Sequence, residues 1–198
     1  YLFLNKRKSN SFDGIIGFIP STNNSKAIQL TGDLKLKLLN AFSHGEQLSF
    51  DWRGYEANSQ DLNLKSIIPF WFSSPFGTEF NFKLNKKDSS FINLQYQIGV
   101  SYYLSGFDNI KGFFESSTSN TFTNNSSENS NFRSSKFNSY GLEINILRLN
   151  DIVLATQGYS LKTSFLAGTI AHSSSLQQNE EKSTRYVLQL QTPFFIPI

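Results

Sequence analysis

The chain has no cysteine, no methionine, five prolines and two histidines among 198 residues. Lacking cysteine, it has no disulfide, no thiolate metal site and no cysteine nucleophile, a usage that suits a cell-envelope protein needing no redox chemistry. His44 in a predicted turn and His172 at a strand end read as exposed residues, because a zinc site takes three or four converging ligands. No stretch reaches the 18 or more apolar residues of a transmembrane helix, so a membrane-spanning chain of this kind crosses with strands. Charge is scarce as well, 17% of residues against the roughly 25% of soluble domains. The 18 Lys and Arg are dispersed apart from Lys6-Arg7-Lys8, so the net charge of +3 leaves no nucleic-acid footprint. There is no Gly-x-Ser-x-Gly elbow and no phosphate-binding glycine loop, and Glu180-Glu181 beside Lys182 reads as solvated loop charge. Neither an enzyme nor a cofactor is expected. Tyr1 to Leu4 stand before the basic run, the reverse of a secretory leader, so an exported chain is expected to have lost its leader.

What the chain does have is alternation and aromatic rings. Ile92, Leu94, Tyr96, Ile98, Val100, Tyr102 and Leu104 alternate with Asn93, Gln95, Gln97 and small residues, the period of a strand with two opposite faces. The run is as long as the 9 to 11 tilted residues that cross a hydrocarbon core. Ile28, Leu30, Leu34, Leu36 and Leu38 alternate in the same way with Asp33, Lys35 and Lys37. Further strands are expected through Phe12–Phe18, Leu48–Arg53, Leu62 to the Pro69-Phe70-Trp71-Phe72 end, Phe80–Leu84, a short Ile110–Phe114, Tyr140–Ile146, Tyr159–Ala167 and Tyr186–Leu190, about ten in all. Leu147 to Ala155, broken by Asn150-Asp151, reads as a turn and no helix is expected.

The connections also carry a pattern. Alternate gaps hold Ser21–Lys26, Ala57–Gln60, Asn85–Ser90, Ser116–Ser135 and Ser173–Lys182, while the intervening ones, Phe42–Gly45, Ser73–Gly77, Gly106–Asn109 and Arg148–Asp151, are short. Long polar loops gathered at one end and short turns at the other are the outer-membrane barrel arrangement. Ser116–Ser135, rich in Ser, Asn and Thr and holding the Asn124 and Asn125 sequons, is expected to be a mobile loop. Aromatics gather at strand ends, at Phe70–Phe72, Tyr102-Tyr103, Phe113-Phe114 and Phe194-Phe195, as interfacial girdles do.

The fold expected is therefore all-β, an antiparallel up-and-down transmembrane β-barrel in the bacterial outer membrane. Residues 1–9 lead in as a linker, and 10–198 form the barrel domain. Asp33, Lys35, Lys37, Asp51, Arg53, Lys65, Lys83, Asn93, Gln95, Gln97, Glu143 and Arg185 face the lumen; the Ile28–Leu38 and Ile92–Leu104 apolar rows face lipid. Alternation alone also allows a soluble ligand-binding barrel with its apolar face inside.

Asn10-Ser-Phe-Asp-Gly-Ile-Ile-Gly-Phe18, then Gly32 to Glu46 with its Asn-x-Phe-x-x-Gly-Glu turn, then the strand ending at Pro69-Phe70-Trp71-Phe72, resemble the barrel of BamA- and TamA-type outer-membrane assembly and translocation proteins over residues 10 to 85. The resemblance implies a 16-stranded barrel, here incomplete at its C-terminus, that inserts or translocates unfolded outer-membrane or secreted polypeptides without ATP. Periplasmic POTRA domains precede it in the family and reach accessory proteins. It also implies a lateral seam in which the first strand, here Ser11, Phe12, Asp13, Gly14, Ile15, Ile16, Gly17 and Phe18, pairs with a substrate strand. Two features depart from the family. The lumenal Arg-Gly-Phe motif is missing, Arg53-Gly54-Tyr55 being a look-alike in the third strand, and the chain stops at Pro197-Ile198 instead of a terminal aromatic. A passive pore, or the membrane anchor of a surface or patatin-like protein, is the alternative within the membrane class.

Overall fold

The computed structural model describes residues 10–19, 29–56, 59–88, 90–105, 108–123, 131–151, 154–174 and 177–195. The expected linker 1–9, Ile28, the Ser21–Lys26 loop and both sequon asparagines lie outside them. One antiparallel up-and-down sheet accounts for almost everything, in the order β1 (Ser11–Ile19), β2 (Gln29–Leu39), β3 (Gln47–Glu56), β4 (Ser59–Ile68), β5 (Phe76–Lys87), β6 (Phe91–Ser105), β7 (Asp108–Thr123), β8 (Asn131–Leu149), β9 (Gly158–Ser174) and β10 (Gln177–Gln191). After Pro193 the two-residue β11 (Phe194–Phe195) continues the edge beside β9. The sole helical turn among the described residues is a 3-10 turn, Trp71–Ser73. The sheet is open: β1 and β10 each have one neighbour.

Register puts the two chemistries on opposite faces. Gly14↔Leu34, Leu34↔Trp52, Trp52↔Leu62 and Leu62↔Leu84 carry the apolar face from strand to strand, and Asp13↔Lys35, Lys35↔Asp51, Asp51↔Asn63 and Asn63↔Lys83 carry the polar one. With no described residue packed on it, the apolar face stays open: Phe12 is 73% exposed, Tyr140 71% and Leu188 73%.

The Asn-x-Phe-x-x-Gly-Glu sequence forms the β2–β3 turn for identifiable reasons. Asn40 and Ser43 take positive φ, as does Gly45, where only glycine does so without strain. Asn40 Oδ1 accepts the Gly45 N–H at 2.8 Å, and the buried Glu46 carboxylate accepts the N–H groups of Phe42 and His44. Those bonds hold the Glu46 carboxyl below the usual glutamate range, the Phe42 N–H contributing most.

Two expectations fail here. The Ser116–Ser135 loop is largely strand, because β7 runs to Thr123 and β8 starts at Asn131. Ser116 Oγ donates to Asn138 Oδ1 and Ser134 Oγ to Asn120 Oδ1, both at 2.7 Å, so side chains too polar to form a core instead pair across a ladder. Likewise β9 and β10 leave only 175–176 between them, which places Glu180-Glu181-Lys182 in a strand rather than a loop. The long-and-short alternation of loops consequently disappears; connections 57–58, 106–107 and 175–176 are all tight, while 150–157 is not. What differs between the two ends is strand extension.

The hydrogen-bonded row through Leu38, Leu48, Ser66, Phe80, Ile98, Phe114, Tyr140 and Ala167 gives a level from which to measure that extension. The last rung lies one residue below it at β2–β3 (Leu39↔Gln47), two at β4–β5 (Ile68↔Thr78) and nine at β8–β9 (Leu149↔Gly158). That stagger of eight residues across six strands, at about 3.3 Å per residue and 4.8 Å per strand, tilts the strands by roughly 40°. The apolar band drifts with it, from Leu30–Leu38 on β2 to Tyr140–Ile146 on β8. Eight residues of strand at that tilt make a band about 20 Å tall, near the 25 Å apolar belt of outer-membrane barrels.

Candidate functional site

Three surfaces carry chemistry: the polar face, the free edge of β1, and the rim of the apolar face. The polar face gathers Asp33, Lys35, Lys37, Asp51, Arg53, Lys65, Lys83, Asn93, Gln95, Gln97, Glu143 and Arg185, all on one side of the sheet by register. Their neighbours across strands are complementary. Arg53 Nε donates to Asp33 at 2.9 Å, and Lys35 sits 3.5 Å from the other oxygen of the same carboxylate. Asp61 accepts from Tyr55 and Asn85, closing one end of a cleft of about 340 Å³ that Lys83, Asn93 and Gln95 also line. Arg53 and Tyr55 thus belong to the cleft on β3.

Lower on the same face lies a cluster that strand alternation alone did not single out. Lys111 Nζ is 3.1 Å from Glu79 and 3.0 Å from Glu143, which in turn contacts Lys162 at 3.3 Å, and Ser101 Oγ donates to Glu79 at 3.3 Å. Lys111 is 7% exposed. Beside it Phe113 faces the polar side, its ring filling the space over Gly141, where any Cβ would overlap it. Phe113 therefore belongs to no aromatic girdle. Tyr103 departs in the same way, stacking on Phe70 at 4.8 Å on the polar side, while Tyr102 keeps to the apolar side against Phe76 at 5.1 Å. Glu79 shares the parity of Asn81 and Lys83 and was legible in sequence; Lys111 was obscured by the adjacent Phe113-Phe114 pair.

No family model, curated protein or solved structure matches the chain. What this surface can do is therefore read from its own residues. Among the described residues no three His, Cys, Asp or Glu side chains converge on a metal position, and no helix is long and apolar enough to cross a membrane.

The β1 edge is the second surface. Ser11 to Ile19 pair with Lys37 to Gln29 in an unbroken ladder, so Gly14 and Gly17 introduce neither bulge nor register shift. Its other edge has no partner among the described strands. Phe12, Ile16 and Phe18 lie on the apolar face, whereas Ile15, 76% exposed, interrupts the polar one. The apolar face, the third surface, carries Leu30, Leu34, Leu36 and Leu38 on β2 and Ile92, Leu94, Tyr96, Ile98, Val100, Tyr102 and Leu104 on β6. Tyr96, Phe114 and Tyr140 run across it, their rings 6.1 and 5.1 Å apart in succession.

Proposed function

We propose that this chain forms part of the wall of a bacterial outer-membrane β-barrel of the BamA and TamA kind, acting as a protein insertase or polypeptide translocation pore through a lateral seam at β1. The observation that carries the reading is the edge of β1, unpaired among the described strands and set at the height of a tilted apolar band that is exposed along much of its length. Backbone N–H and C=O groups left open in hydrocarbon cost several kcal/mol each, so this edge calls for a strand, either from the rest of the barrel or from a client polypeptide. Only strand pairing is required, which needs no ATP and no catalytic group. Lipids contact the apolar face, water fills the polar one, and POTRA domains elsewhere in the protein would recruit periplasmic accessory proteins.

Photo-crosslinkers placed at Phe12 and Ile16 in the full-length protein, in cells making outer-membrane proteins, test it. Adducts with unfolded clients at these positions and none at Leu142 are expected. Adducts solely with the protein's own last strand would instead establish a passive pore or anchor, the reading favoured by the dense ion pairing of the polar face. A soluble ligand-binding barrel would stay in the aqueous phase without detergent.

A further inference from the structure

The free edge of β1 offers side chains as well as backbone. Register strings one polar-face rung from Ile15 across the whole sheet, through Asp33, Arg53, Asp61, Asn85 and Asn93 on β2 to β6 and on through polar residues to β10. Ile15 is the one apolar residue of that rung, and it stands 76% exposed at the open end. The Asp33 carboxylate beside it is already engaged, by Arg53 at 2.9 Å and Lys35 at 3.5 Å. Next along the same face of β1, Asp13 makes no ion pair or side-chain hydrogen bond among the described residues. In the other direction Gly17 leaves its polar side bare: a Cβ there would meet only Thr31, 3.1 Å from its Oγ1. Elsewhere on this face such bareness is filled, since the Phe113 ring covers Gly141, its partner across the ladder.

We infer that the edge selects its occupant by side chain, accepting an extended polypeptide segment that sets a cation against Asp13, an aliphatic residue against Ile15 and an aromatic ring over Gly17. The inference rests on the seam reading and specifies the client strand. Pairing is antiparallel, so the segment reads aromatic-x-aliphatic-x-Lys or Arg from its N-terminus, with apolar residues between to continue the Phe12 to Phe18 row. The sheet's other open edge does not supply that order. With Val187 of β10 opposite Ile15, Gln189 would fall at Asp13 and Arg185 at Gly17. Directly opposed residues lie close enough that each matched pair shifts occupancy by up to about fivefold.

The test holds the full-length protein in phosphatidylcholine vesicles, with a photo-crosslinker at Phe12, and offers it alternating peptides of about 11 residues. The first peptide carries phenylalanine, valine and lysine at successive lumenal positions; a second has asparagine for the valine, and a third glutamate for the lysine. Capture of the first is expected to exceed that of either other by about two- to fivefold. The valine preference should vanish in I15N, and D13K should take the glutamate peptide over the lysine one. Equal capture of all three peptides by the unaltered protein, a valine preference that persists in I15N, or an unreversed charge preference in D13K overturns the assignment and leaves the seam standing. Capture of no peptide at Phe12 overturns the seam reading itself.

Discussion

Glu46 shows how much a single side chain can determine. It lies in a turn where the backbone N–H groups of Phe42 and His44 both donate to its carboxylate, and they stabilise its charged form. Since its folded pKa lies below the unfolded value, the stabilisation is present above the ordinary glutamate range and is lost as pH falls through the depressed value. Glu46→Gln should therefore lower the urea midpoint in detergent micelles at pH 7, with the gap to the parent closing as pH falls below the ordinary glutamate range. A gap independent of pH would show that the carboxylate's charge is irrelevant to the turn.

At the scale of elements, β5, β7, β8 and β9 are tied on their polar side by the Glu79–Lys111–Glu143–Lys162 chain. Removing the central cation leaves two carboxylates facing each other with little water. Lys111→Ala should cost about 3 to 5 kcal/mol, whereas the triple change E79Q/K111M/E143Q should cost far less, as measured by unfolding midpoints. Comparable losses in both would mean that packing rather than charge holds these strands. Elements of this kind were unevenly legible in the sequence. Strict alternation made β2, β3 and β6 plain, faces included, because each has one buried-type and one solvated row. The outer halves of β7 and β8 were hidden, since Ser, Thr and Asn on both faces look like loop wherever burial is the only criterion; the ladder to β6 and the Ser116–Asn138 bond decide otherwise. That β1 lies at an edge follows from its place as the first strand of an open up-and-down sheet.

For the whole molecule, the claim that matters is which face meets lipid. Single cysteines at Leu94, Ile98 and Leu142 should resist an aqueous maleimide and be quenched by brominated acyl chains, and those at Lys35, Lys83 and Gln95 should do the reverse. Ile98→Arg should cost about 2 to 4 kcal/mol in the bilayer, with Gln97→Arg close to neutral. The reversed labelling pattern would identify a soluble barrel with an apolar interior.

The drift of the apolar band against the strand ends has one more consequence. At the end of the sheet where β7 and β8 are joined, ladders run nine rungs beyond the Phe114–Tyr140 level, to Thr123↔Asn131, while on β2 the apolar row reaches almost to the strand's end at Leu30. Among the described residues, the mouth of such a wall is a ramp rather than a level rim. A long polymer lying across it, whether peptide or glycan, would be shouldered by hydrogen-bonded sheet on the β7–β8 side and would slope down toward β1, one of the sheet's two open edges.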